Sequence, residues 1–381
     1  MLSIREKYLV FPNFTQNFWT WLTGKALPNQ KPMFVFSPLA HFVTATALCF
    51  GGFGLSLAAF YGQVNILWLF AGWAMVIAGG RKLAAVILHQ CVHRMFSGNI
   101  KLDNFTGELV TTLLCTQDAM SYRSDHFGLH HRALTFATQN DPIVKFLSGH
   151  GMTHDMTKKE LYAKFFTRIL SPVFHAKFFY CRLVFNFVTC GPWRRAASVA
   201  FWTAMISAAV LAPNGLLAFV LVYAVPVTLL YQISAFVEIC SEHAWLVPDD
   251  PNQKVEKKYY HVFKSWGRFC GSVPPTDIEK PLLRAIRWVG FWIATVFYHL
   301  PVRLFILIGD LPQHDFHHRH PSEKDWVISA YARQRDIDNG HEGWPPYREF
   351  WGLHNAIEHV FSGMTDAIQK NKISDDEGLA A

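Results

Sequence analysis

Asp125-His126-Phe127-Gly128-Leu129-His130-His131 places three imidazoles within six residues, a density that ordinary packing rarely requires and that reads as a metal site. In a helix, His126 and His130 are four apart and share a face, while His131 lies about 100° further round and can reach a second ion. Neutral imidazole is the commonest protein metal ligand. Two other stretches repeat the theme: His89-Gln90-Cys91-Val92-His93 upstream and His314-Asp315-Phe316-His317-His318 downstream. The rest of the chain can be read as scaffolding that brings these boxes together.

The chain has 19 histidines, and a lone one is more often a satisfied polar residue than a ligand; clustering reverses that reading. His89 and His93 alone carry the H-x3-H skeleton of zinc peptidases, but Gln90 stands where such an enzyme needs its general-base Glu. The eight clustered imidazoles exceed the about six ligands that one first-row ion holds, so two metals are expected. All-nitrogen donor sets suit Fe, Zn, Cu or Ni.

Composition says where such a site sits. Of 381 residues, 51% are hydrophobic, 15% aromatic and only 17% charged, which points to a membrane protein. The net charge of +7 suits a basic face against anionic headgroups, and no basic run resembles a nucleic-acid motif. The 7 cysteines are odd in number and form no C-x-x-C pair, so neither a disulfide framework nor a zinc knuckle is indicated. Charges and Pro12 near the N-terminus argue against a cleaved targeting segment.

Residues 1–40 mix Trp19, Trp21, Phe34 and Phe36 with prolines, as in an interfacial segment. Phe42 to Phe60 carries no charge and matches the ~20 residues of a span. A second span from about Val64 to Gly80 ends at Arg81 and Lys82, and its helix continues to carry His89 and His93 about 10–20 Å beyond the membrane core. Phe105 to Thr116 reads as a short interfacial helix. Leu161 to Cys190, with Lys164, Arg168, Lys177 and Arg182 among phenylalanines, reads as a surface-lying segment with its cations toward phosphate.

Ala196 to Ala212 and Leu216 to Val237 form a second hairpin around the uncharged turn Pro213-Asn214-Gly215. Trp288 to Ile308, interrupted by His299, Pro301 and Arg303, reads as an interfacial or re-entrant pair. The polar stretch with Asp249, Asp250 and Lys254 to Lys258 and the tail Ser374 to Gly378 read as solvated. Because the long connections carry the Lys and Arg, the positive-inside rule puts the boxes and both termini in the cytoplasm.

The succession H-x3-H, H-x3-HH and H-x2-HH, with paired spans before and between, resembles the membrane-bound fatty acid desaturase and hydroxylase superfamily, from about Phe42 to His320. The resemblance implies a ninth ligand just after the fourth span, where this chain reads Ser241-Glu242-His243-Ala244-Trp245. It also implies two non-haem irons, O2 as co-substrate, a lipid or acyl substrate, and electrons from a separate ferredoxin, rubredoxin or cytochrome b5 type partner. No His-Pro-Gly-Gly haem motif appears.

His130 to Thr138 followed by Asp141-Pro142 resembles the second-box continuation of alkane hydroxylases and carotenoid ketolases, which pulls toward hydroxylation. Arg94 stands where many desaturases carry another histidine. Asp125, Glu242 and Asp315, each beside a proposed ligand, are candidates to accept the second N–H of a metal-bound imidazole, and His320 is a substitute ligand or outer-shell residue.

These readings combine into an all-α integral membrane protein with about four transmembrane helices in two hairpins and a cytoplasmic helical cap carrying a histidine-rich dimetal site. An interfacial segment (1–40), a catalytic domain (41–361) and a tail (362–381) follow one another. The expected metal ligands are His89, His93, His126, His130, His131, His243, His314, His317 and His318. The expected activity is acyl-chain desaturation. Hydroxylation on the same scaffold is the first alternative. Metal transport is a remote one, since transport sites lie near the midplane of spans.

Overall fold

A computed structural model describes residues 3–132, 135–245 and 263–378; the polar stretch from Asp249 to Lys258 falls outside them. The principal helices are α1 (Gln16–Thr23), α2 (Pro38–Phe60), α3 (Trp68–Val92), α4 (Ile100–Leu113), α5 (Ala119–Asp125), α6 (Pro142–Gly149) and α7 (Lys158–Leu170). They continue with α8 (Pro172–Phe187), α9 (Pro192–Leu211), α10 (Gly215–Glu242), α11 (Pro281–Ile306), α12 (His314–Arg319), α13 (Ser329–Asp338) and α14 (Leu353–Gly378). The chain divides into two compact units, one of residues 36–129 and 165–237, the other of residues 1–35, 130–164 and 238–381.

Among the described residues, α2, α3, α10 and α11 are long and apolar enough to cross a membrane. Four such helices match the expected number, but their membership differs from the sequence reading at one place. The expected third span forms as the 20-residue α9, yet it opens on Trp193-Arg194-Arg195 and is rich in Ala and Ser, so it is less apolar than the four. The segment expected to be interfacial forms instead the 26-residue α11. It runs through Pro301 because the helix widens to π geometry at Thr295–His299 and Val302–Ile306, which absorbs the N–H that proline lacks.

In the unit of residues 36–129 and 165–237, α2 and α3 pack as a hairpin through small residues. A Cβ on Gly79 would stand 2.4 Å from the Cys49 backbone nitrogen, and one on Gly72 would stand 2.1 Å from Ser56 Oγ. Between membrane helices, where lipid competes equally for apolar surface, such close backbone approach is a main source of association. Gly79→Val is therefore expected to destabilise the hairpin by about 1–3 kcal/mol or more through overpacking, read as a drop in the midpoint of thermal unfolding in detergent.

The same unit ties down the end of α4 with buried polar side chains. The last carbonyls of a helix lack partners of their own. Tyr223 Oη donates to Leu113 O (2.9 Å), while the Arg182 guanidinium donates to Leu114 O, to Cys115 O (2.9 Å) and to Val227 O (2.9 Å). Arg182 is therefore buried and does not face phosphate as its neighbours in sequence suggested. Its planar fork fits three carbonyls at once, which a lipid-facing cation would leave unsatisfied.

In the other unit, the N-terminal aromatics fold onto α11. Tyr8, Trp19, Leu22 and Phe291 form a buried cluster, with Phe11 stacked on Trp19 at 4.4 Å between ring centroids. Arg5 is buried beneath it and donates to Lys25 O, Gln16 Oε1, Gln16 O and Thr20 Oγ1 at 2.8–3.0 Å; burial pulls its pKa down to about 10. A short parallel pair, β1 (Gly267–Phe269) and β2 (Glu349–Trp351), aligns Gly267 with Glu349. α14 runs to Gly378 through the expected tail boundary at 361/362, and Phe361 and Met364 are buried in it.

Candidate metal centre

α3 carries His89 on its last turn, just after a π-helical segment, Leu83–Leu88, and ends on His93 as its C-cap. π-turns are rare and recur at functional sites. α5 continues as a second π-segment, His126–His130. Within its own unit, His126 Nε2 lies 3.1 Å from His89 Nε2 and 2.9 Å from His93 Nε2, and all three rings are buried.

The other unit gathers a second group. His130, His243, His314 and His318 are buried, and each offers one ring nitrogen within 4.8 Å of the others. His318 Nε2 is 3.1 Å from His314 Nε2 and 3.2 Å from His243 Nε2. His314 and His318 are four apart on α12 and so project from one face. His131 and His317 form a pair, with their Nε2 atoms 3.3 Å apart.

The division of the second box differs from the helical expectation. His126 and His130 do not serve one face: His126 turns to His89 and His93, while His130 turns to His243, His314 and His318. Hydrogen bonding in the π-segment runs i to i+5, so the α-helical rule of i and i+4 does not apply there. The rings of the adjacent His130 and His131 lie nearly perpendicular, at 82°.

The arrangement fits metal ions. His130 Nδ1 donates to Asp141 Oδ2 (3.1 Å) and His243 Nδ1 donates to Lys264 O (3.2 Å). The proton of each neutral ring is thereby held at Nδ1, and a lone pair at Nε2 is aimed at the other imidazoles. Buried lone pairs facing one another at about 3 Å are unfavourable without a cation or proton between them, and an N–H partner behind the ring is the usual support of a metal-bound histidine.

Asp141 was not among the expected outer partners. It begins α6 as its N-cap, accepting from Ile143 N (2.9 Å), and it also accepts from Ala137 N (3.0 Å). Burial pushes its carboxyl up, but the hydrogen bond from His130 and those N–H groups outweigh it and hold the pKa below the ordinary range. The signal in the sequence was Asp141-Pro142, a helix start within reach of the box. Asp141→Asn is expected to weaken about 10–100-fold the retention of an ion bound at the His130 group, measured as metal content after dialysis against graded chelator.

The four expected outer partners take other roles. Asp125 accepts from Gln117 Nε2 (2.7 Å). Glu242 Oε1 lies 3.2 Å from His314 Nε2 and 3.8 Å from His243 Nε2, on the side where the imidazoles converge and not behind them. Asp315 pairs with Arg333 through both oxygens. His320 Nε2 lies 3.6 Å from Asp336 and joins neither group of described nitrogens. Adjacent residues on a helix point apart, which is why Asp125 and Asp315 miss the rings of their neighbours.

Asp315 instead anchors α12. Arg333, fully buried, bridges Asp315 (2.8 Å) and Glu349 (2.9 Å), and Lys25 completes the network on Glu349. The Arg333 guanidinium also lies over the Tyr347 ring, 4.2 Å from its centroid. Burial lowers the pKa of Arg333, but the two carboxylates more than reverse it.

A family model described as fatty acid desaturase matches residues 66–274, more than half of the chain. The chain belongs to the fatty acid desaturase family. No curated protein matches it in sequence. The matched stretch holds the first two boxes and His243, whereas α12 lies beyond it. In this desaturase-family protein the third box is thus joined to the family's region by geometry, through His314 and His318 beside His130 and His243. The family implies an oxidoreductase with a lipid substrate and membrane association, and the four apolar helices are compatible with an integral membrane protein.

Proposed function

We propose that this protein is an O2-dependent acyl-chain desaturase with two non-haem irons. Overall, O2, two external electrons and two protons are consumed, two adjacent C–H bonds become C=C, and two waters form. The observation that carries the reading is the convergence of His130, His243, His314 and His318 on one buried point in a chain of this family. These four hold one iron.

His89, His93 and His126 hold the other iron, and their boxes mark His131 and His317 as ligands as well. Within their own unit, His131 and His317 contact each other. Bound irons would supply the dioxygen activation that an unactivated C–H bond demands and no side chain provides. The chain's own part is to hold nitrogens in register. Asp141 and the Lys264 carbonyl fix two tautomers, and the Asp315–Arg333 pair sets the orientation of α12.

The long Lys- and Arg-bearing connections support a cytoplasmic centre, where a separate ferredoxin, rubredoxin or cytochrome b5 type donor can deliver electrons. One observation favours the second reading, hydroxylation: Asp141, part of the hydroxylase-like continuation of the second box, does contact His130. The two reactions share ligands and diverge in product. Expression in a host lacking the activity, followed by lipid analysis after growth under 18O2, decides between them. Acyl chains two mass units lighter and free of label are expected; label in the acyl chain would establish hydroxylation.

A further inference from the structure

The unit of residues 36–129 and 165–237 contains an apolar groove of about 430 Å3 between α2, α9 and the first turns of α10, lined among others by Cys49, Phe53, Met205, Ala208 and Phe219. No histidine of either group lines it. Two tyrosines that do, Tyr61 and Tyr223, spend their hydroxyls on backbone: Tyr61 Oη donates to Pro213 O (3.0 Å) and Tyr223 Oη to Leu113 O (2.9 Å). The groove thus presents a hydrocarbon surface. Water in such a space lacks the 2–4 polar partners that would hold it.

Its length and direction identify what fits. From Cys49 to Tyr61, α2 rises about 18 Å at 1.5 Å per residue, close to the ~15 Å of one leaflet, half a ~30 Å core. The Tyr61 end lies by the turns that close the two hairpins, opposite the end of α3 that bears His89 and His93. The inner end is formed by Leu83, Leu113 and Leu114. Phe50, Leu57 and Tyr61 remain 41–49% exposed along it, so the groove opens sideways, and α2 and α10 are helices of membrane-spanning composition.

We propose that this groove binds one acyl chain of a phospholipid from the leaflet farther from His89 and His93, with the headgroup at Tyr61 and the methyl end at Leu83 and Leu114. The chain joins the two hairpins by filling the space between α2 and α9. The proposal is independent of the reaction assigned to the histidines.

The test is photolabelling of the full-length protein in phosphatidylcholine vesicles doped with phosphatidylcholine bearing a diazirine at mid-chain or at the chain end, followed by peptide mass spectrometry. Mid-chain probe is expected on Phe53, Met205 and Phe219, and end-chain probe on Cys49, Leu83 and Leu114. Adducts confined to outward residues such as Val199, Ile206 and Leu217 would overturn the proposal. Ala208→Trp is expected to cut the groove adducts about tenfold and spare the outward ones; unchanged groove adducts would contradict it. Loss of the groove adducts on adding excess oleate would assign the site to a free acyl substrate, against the phospholipid.

Discussion

His318→Ala is expected to lower turnover by at least about a thousandfold, beyond the 10–100-fold that loss of an outer partner costs, and to leave one iron per chain against the two proposed for the wild type. Among the four buried imidazoles, His318 has Nε2 contacts to both His243 and His314. Its removal leaves three nitrogens and a cavity that water enters. His320→Ala, one turn away from the converging nitrogens and directed at Asp336, is expected to retain both irons. Metal analysis of the two purified variants against wild type checks this, and equal iron in all three would contradict the assignment.

Arg333→Met is expected to destabilise the protein by about 3–5 kcal/mol, because removing one member of a buried ion pair strands its partners. Asp315 and Glu349 would lose the cation that bridges them; Glu349 retains Lys25, whereas Asp315 is left with the N–H of Phe316 and without that cation. Arg333→Lys should recover part of the loss, since an ammonium supplies charge without the fork that engages Asp315. The thermal midpoint in detergent should order as wild type, Lys variant, Met variant. A Met variant as stable as wild type would show that the network is immaterial to α12.

How much of this was legible in the sequence depends on the range of each interaction. The boxes, the first hairpin and the helical class were legible because they rest on local spacing and on runs of apolar residues. The grouping of imidazoles was not, since a π-turn at His126–His130 has no signature in the residues themselves. Nor was the continuity of α11, where Pro301 and Arg303 imitate an interruption that two widened turns absorb. Arg182 misled for a different reason: its partners are backbone carbonyls 45–68 residues away, and composition cannot announce a carbonyl. Asp315 was noticed for its neighbour in sequence, His314, but acts on Arg333, 18 residues downstream. His243 was the opposite case. No cluster marked it, and only the resemblance pointed to the residue that stands beside His318.

The central claim is a pair of irons held by histidines, and its most direct measurement is the metal content of the purified wild-type protein by plasma mass spectrometry with Mössbauer spectra of the 57Fe-grown sample. Two irons per chain, as a coupled pair, are predicted. One iron per chain, or zinc or copper in place of iron, would contradict it.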